Sequence, residues 1–167
     1  MTSDVLSYFA YGSNMFSPRL QERCLSARPL GRAVVTGFEL RWHKRSTDGS
    51  GKCDIYPVAS QSALIHGVLY QIDASELGAL DRAEGRGKGY ERIEVSVVVD
   101  GSQRPAITYQ ATDIDDGRRP YSWYHALVVA GAREHGLPDD YVAHLEAVVT
   151  VEDPDPKRHR SNMALIK

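Results

Sequence analysis

Cysteine is scarce in this chain, and the two that occur, Cys24 and Cys53, lie in separate segments with no CxxC and no Cys/His spacing. That excludes a disulfide scaffold and an ordinary zinc site, and it suits a reducing compartment. No apolar run reaches the roughly 18 residues that a membrane helix needs, and the amino terminus lacks a basic stretch followed by an apolar one. Neither a membrane span nor a signal peptide is expected, so the expected location is cytoplasmic. No charge sign dominates either: 20 Lys and Arg stand against 22 Asp and Glu, a net of −2. Such a balance provides no basic field to hold nucleic acid and points to a small molecule as partner, with no nucleic acid and no membrane. Common catalytic signatures are missing too. There is no HExxH, no GxSxG and no i, i+4 pair among the six histidines, so neither a metal site nor a serine elbow is expected.

What is present suffices for one folded unit. With 167 residues and 42% apolar content, the chain can bury a real core. Residues 1–151 are expected as a single domain and 152–167 as a tail, because "DPDPKRHRSN" is Pro-rich and charged, the composition of a mobile or surface-hugging segment. Alternating apolar positions predict strands over Arg32–Trp42, Ala63–Ile72, Arg92–Val99 and Pro105–Tyr109, the last two joined as a hairpin by Asp100-Gly101. Between the first two, "STDGSGKCD" reads as an exposed loop. Helices are expected from Asp73 to Glu84, with Asp73 and Glu76 as a capping box and Gly85 as the stop, then from Pro120 to Gly136 and from Pro138 to Val149. The sum is an α+β fold, a mixed or antiparallel sheet with helices packed around it.

Two stretches could carry chemistry. The first is "YFAYGSNMFSP" near the amino end. Tyr8–Tyr11 favours a strand, Gly12-Ser13-Asn14 ends it, and Ser17-Pro18 starts a helix with Ser17 as N-cap. Such a loop can hold the backbone NH groups from Gly12 to Met15 convergent and let a ligand approach the main chain, although ordinary turns share this composition. The second is Glu84. Leu77, Leu80 and Glu84 fall at i, i+3, i+7, so the carboxyl shares the core-facing side of its helix and lies in the last turn. Burial and the negative end of the helix dipole both disfavour its charged form, a setting that suits a general base near neutral pH. The alternative is a frayed helix end with Glu84 in water. Gly85-Arg86-Gly87-Lys88-Gly89-Tyr90 follows, but it leaves a helix and enters a strand, the reverse of the order that aims NH groups at a phosphate. It reads as a flap beside Glu84 with Tyr90 as a wall. Tyr109 and Tyr124 read as core aromatics with a hydroxyl at a wet end. Asp113, Asp115 and Asp116 form either a receptor for a cationic amine or an exposed acidic turn.

Taken together, "YFAYGSNM", "LDRAEGRGKGYERIEVSV" and "YHALVVAGAREHGLPDDYVAHL" resemble the γ-glutamylcyclotransferase (AIG2-like) family, in the family's order and approximate spacing, over nearly the whole chain to about Val149. The resemblance implies a small mixed β-barrel-like sheet flanked by helices and a reaction that needs no metal or organic cofactor. In that reaction the α-amino group of a γ-glutamyl compound attacks its own side-chain amide, giving 5-oxoproline and releasing an amine or amino acid. By match to the motifs, Glu84 is the catalytic acid/base, and Tyr11, Gly12, Ser13, Asn14 and Met15 bind the γ-glutamyl group. Tyr90, Tyr109 and Tyr124 stand where the family carries pocket tyrosines. The leaving group stays open between an amino acid, a polyamine or lysine-type amine, an aminoglycoside and a peptide such as glutathione, and a homodimer is left open as well. So is the charge held by the loop, which is either the substrate carboxylate or the oxyanion. Rival readings are a non-catalytic binding or regulatory relative and a γ-glutamyl amide hydrolase in which water attacks.

Overall fold

Strand β1 (Val5–Ala10) carries the aromatic run into the interior, with Tyr8 and Phe9 buried. The structure, a computed structural model, describes residues 4–166. After β1 come α1 (Ser17–Gln21), β2 (Arg28–Thr36), β3 (Phe38–Arg45), β4 (Gly51–Pro57) and β5 (Leu64–Asp73). The second half comprises α2 (Leu77–Glu84), β6 (Tyr90–Val99), β7 (Ser102–Ala111), α3 (Ser122–Glu134), α4 (Asp139–Glu146) and α5 (Pro156–Met163). Five strands close into a barrel in the order β1-β5-β2-β6-β7. Neighbours run antiparallel except β1 and β7, which meet in parallel at Tyr8 and Ile107 and complete the ring. Closure leaves the ring without a free sheet edge. The β6–β7 hairpin forms as its alternation predicts: Asp100 and Gly101, at φ 50° and 77°, make the two-residue turn opposite Val99 and Ser102.

Three local expectations change. The single strand expected over Arg32–Trp42 is two, because Gly37 at φ +82° turns the chain and sends β3 out of the barrel to pair with β4 in a separate sheet. The segment expected as an exposed loop contains the start of β4, with Cys53 and Asp54 buried. Its polar composition is compatible with burial because the polar groups find partners: Asp54 takes His43 Nε2 at 2.7 Å on one oxygen and the Ala111 amide at 2.8 Å on the other. Neither expected cap forms. Ala74–Glu76 is a single 3-10 turn, and the Glu76 carboxylate instead accepts from the amides of Leu25 and Ser26 at 3.0 and 2.8 Å. The Ser17 hydroxyl lies 2.9 Å from that of Tyr70 and caps nothing.

The tail is ordered as a helix against the surface. Asp155 caps α5 by accepting from the amides of Lys157 and Arg158 at 3.0 and 3.2 Å. Asp153, its side chain 0% exposed, accepts Trp123 Nε1 of α3 at 2.9 Å and two hydrogen bonds from Arg158. The Arg158 guanidinium holds this carboxyl well below the usual carboxylate range. A carboxyl depressed in the folded state contributes stability above its unfolded value, and that contribution is lost as acid protonates it. Asp153→Asn should therefore lower the thermal midpoint at pH 7, and the gap to the wild type should narrow as pH falls below about 4. Parallel midpoints down to the acid end would show that the charge of Asp153 does not hold the tail.

Candidate active site

The chain leaves β1 at Ala10, and Ser13–Met15 form one 3-10 turn after Gly12. Four convergent amides were expected here, but Met15 donates its own to the Gly12 carbonyl at 3.0 Å. The amides of Ser13 and Asn14, at the open start of the turn, donate to no group among the described residues. Met15 does not reach the cleft either: its side chain is wholly buried, and its carbonyl accepts the Tyr70 hydroxyl at 2.8 Å. The turn rests on α3 at Gly131, where a Cβ would come 2.5 Å from the Phe16 nitrogen.

Glu84 faces this turn. Leu80, one turn earlier, is wholly buried and holds α2 against the core, so the helix end does not fray, and the Glu84 side chain is 16% exposed. Its Oε1 accepts Asn14 Nδ2 at 2.5 Å and Arg23 Nη1 at 3.1 Å. Arg23 also donates to Asn14 Oδ1 at 3.0 Å, and Asn14 Nδ2 to the Tyr8 hydroxyl at 3.0 Å. Oε2 receives no hydrogen bond among the described residues. One oxygen is thus fixed by a neutral and a cationic donor, and the other is free to meet a ligand. Helix periodicity identified the inward-facing side of α2, and the fold adds to it a charge of opposite sign, Arg23, at 3.1 Å.

Glu84 and the turn share one narrow cleft with Cys53 and five tyrosines, Tyr8, Tyr11, Tyr90, Tyr109 and Tyr124. The walls are braced from behind. Tyr11 donates to the Tyr109 carbonyl, Tyr90 to the Cys53 carbonyl at 2.6 Å, and Tyr109 to Asp81 Oδ1 at 2.6 Å, while Arg92 holds the other Asp81 oxygen at 2.7 Å. The Tyr124 hydroxyl accepts the Cys53 amide at 3.2 Å, which leaves its proton available. Burial raises the tyrosine hydroxyls at positions 8, 11, 90 and 124 well above the usual phenol range and pushes the Cys53 thiol up as well. These groups stay neutral, so Glu84 is the carboxylate of a cleft whose other polar side chains are uncharged. A Cβ at Gly12 would lie 3.1 Å from the Tyr124 oxygen and 3.2 Å from Cys53 Cβ, so the bare main chain keeps this wall open.

Of the expected residues, Tyr11, Gly12, Ser13, Asn14, Glu84, Tyr90, Tyr109 and Tyr124 come together here, and Met15 does not. The acidic turn lies elsewhere: Asp113 and Asp115 pair with Arg45 at 3.1 and 3.8 Å, Asp115 with Arg118 at 3.3 Å, and Asp116 with His43 at 3.1 Å. The Gly85–Tyr90 loop is tied by Lys88 N to the Gly85 carbonyl and Gly87 N to the Tyr90 carbonyl, both 2.8 Å. Arg23, Tyr8 and Asp81 escaped the sequence reading, and the four-residue spacing of Arg19 and Arg23 was the one available hint. Among the described residues no three His, Cys, Asp or Glu side chains gather as metal ligands, and no helix is long and apolar enough to cross a membrane.

The closed five-strand barrel sets the Gly-Ser-Asn turn after its first strand against an inward glutamate, and residues 64–145 match the AIG2-like family model. The chain is 31% identical over 148 residues to γ-glutamylcyclotransferase of Homo sapiens, with 84% of this chain and 77% of that one covered. It is 30% identical over 154 residues to γ-glutamylcyclotransferase of Bos taurus. A solved γ-glutamyl cyclotransferase structure superposes with a TM-score of 0.86 at 26% identity, covering 96% of this chain and 99% of that one. The chain belongs to the γ-glutamylcyclotransferase family, and its function is of that type.

Proposed function

We propose that the protein closes γ-glutamyl compounds to 5-oxoproline, with Glu84 as acid and base. The observation that carries this reading is the state of the Glu84 carboxylate, one oxygen held by Asn14 and Arg23 and the other free in a cleft of neutral hydroxyls. The free oxygen takes a proton from the substrate's α-ammonium group. The amine nitrogen then bonds to the γ-carbonyl carbon and the carbonyl oxygen becomes an oxyanion. Collapse of that intermediate breaks the original amide C–N bond as Glu84 gives its proton to the departing nitrogen, and the second proton, left on the ring nitrogen by the attack, passes through the freed carboxylate to the released amine, which leaves as an ammonium ion. Because the attack is intramolecular, the protein's main task is to fold the substrate until nitrogen and carbon stand about 3 to 3.5 Å apart. The unpaired amides of Ser13 and Asn14 suit either the α-carboxylate or the oxyanion. The neutral tyrosines favour this chemistry because they do not compete for the proton, and Tyr124 keeps a hydroxyl proton to donate.

Product analysis with γ-glutamyl-alanine tests the reading. Release of 5-oxoproline supports it, free glutamate would mean that water attacks, and neither product from this compound or from γ-glutamyl compounds with neutral, anionic and cationic leaving groups would mean a binding protein on this fold. Gly12→Val should raise KM by about fivefold to a hundredfold, because overpacking by one side chain against Tyr124 and Cys53 costs about 1–3 kcal/mol. An unchanged KM would reduce the loop to an ordinary turn.

A further inference from the structure

Beyond the cleft lies an outer chamber of about 280 Å³ that shares Ser13, Glu84, Tyr90 and Tyr124 with it. Glu84 lines both spaces and so stands at their junction; with the γ-glutamyl group in the inner cleft, as the cyclotransferase reading has it, the amine side of the scissile amide faces the chamber. The chamber's walls carry Arg19, Arg23, Lys44, Lys52, Arg82 and Lys88 against the single carboxylate of Glu84. This concentration is local, since the whole chain has a net charge of −2. Two of the six are neutralised, Arg23 by Glu84 at 3.1 Å and Lys52 by Asp48 at 3.6 Å. The other four make no ion pair among the described residues.

Two of these four are buried, Arg19 and Lys44, each 8% exposed. Arg19 donates Nη1 to the neutral Asn162 Oδ1 at 2.7 Å, and its buried Nε has no partner. Lys44 Nζ makes no close ion pair among the described residues and lies over the face of Tyr90, 4.9 Å from the ring centre, with the Asp113 and Asp48 carboxylates acting on it from farther away. Burying a cation without a counter-charge is unfavourable, and cations crowded together repel. Burial and the neighbouring Arg23 accordingly lower Arg19 to about 10, and burial lowers Lys44 and Lys52. A bound anion relieves each of these strains.

We infer that the outer chamber receives the leaving group and that this group carries at least two negative charges, as a dicarboxylic amino acid or a phosphorylated amine does. The inference rests on the cyclotransferase reading for the position of the scissile bond. One carboxylate would leave most of the unpaired cations unanswered. Polyamine and aminoglycoside leaving groups are disfavoured, because they would add positive charge to a wall that already has an excess.

The test is a comparison of kcat/KM for 5-oxoproline release at low salt. The panel is γ-glutamyl-ethylamide (neutral), γ-glutamyl-alanine (one carboxylate), γ-glutamyl-glutamate (two carboxylates on the leaving group), γ-glutamyl-phosphoethanolamine (a phosphate) and γ-glutamyl-putrescine (a cation). Each added negative charge should raise kcat/KM about tenfold, putrescine should be slowest, and salt should compress the range. The faster of the carboxylate and phosphate members identifies the source of the charge. Arg82→Gln and Lys88→Gln, at exposed positions where folding is not at stake, should each shrink the ratio of dianionic to neutral substrate severalfold. Equal kcat/KM across the panel, or a preference for putrescine, overturns the inference and leaves the cyclotransferase reading in place. Calorimetry with N-acetyl-glutamate and N-acetyl-alanine, which cannot cyclise, reads the chamber without turnover. If no panel member yields 5-oxoproline, the cyclotransferase reading fails; tighter binding of N-acetyl-glutamate then still supports an anion-binding chamber, and equal binding overturns it.

Discussion

Glu84→Gln should lower kcat/KM for 5-oxoproline release by at least about a hundredfold, the lower end of what a positioned general acid–base group supplies. A glutamine keeps the shape and the Oε1 acceptor, so Asn14 and Arg23 retain their hydrogen bonds, but the amide cannot take the ammonium proton or return it. The substitution is confined to the last turn of α2 and leaves Leu80 in the core, so the thermal midpoint should move little. Two measurements check this: the rate with γ-glutamyl-alanine and the melting curve of the same preparation. Near-normal turnover by a folded variant would sink the assignment of Glu84.

Gly131→Ala should damage fold and activity together, although alanine is the better helix former by about 1 kcal/mol. The new Cβ would stand 2.5 Å from the Phe16 nitrogen and 2.7 Å from the Met15 carbonyl carbon, and backbone atoms cannot rotate out of the way as a side-chain end can. Either the turn of Ser13–Met15 lifts from α3 or the helix moves. With overpacking at about 1–3 kcal/mol, the thermal midpoint should fall by several degrees, at roughly 2–4 °C per kcal/mol for a domain of this size. Asn14 rides on that turn and would lose its 2.5 Å contact with Glu84, so kcat/KM should fall more than tenfold even where the protein remains folded. A midpoint that rises, as helix propensity alone requires, would show that the turn is not seated on α3.

Both predictions join a feature readable in the sequence to a contact that was not. The periodicity of Leu77, Leu80 and Glu84 identifies a carboxyl on a buried helix face, because helical geometry places i, i+3 and i+7 together whatever the partner. It does not identify Arg23, which meets Glu84 across 61 positions of chain. The hairpin at Asp100-Gly101 is legible for the same local reason, since two residues of positive φ suffice to make the turn. Strand β4 is not, because the burial of Asp54 depends on His43 of its partner strand β3 and on Ala111 of β7, 57 positions away. Glu76 shows the converse, a residue that matches a capping pattern and spends its carboxylate on the amides of Leu25 and Ser26.

By itself the sequence determined that β1 must break at Gly12-Ser13-Asn14, that α2 must stop at Gly85 with Glu84 in register with Leu77 and Leu80, and that a family motif links the two. These follow from backbone dihedral preferences and side-chain periodicity, which act over a few residues. Tertiary structure alone decided which Glu84 oxygen is held and which is free, that Met15 is excluded from the cleft, and that cations from positions 19, 23, 44, 52, 82 and 88 surround one chamber. Coulomb and hydrogen-bond terms depend on distance in space, and only the closed barrel with α1, α2 and β3 packed beside it makes those distances short.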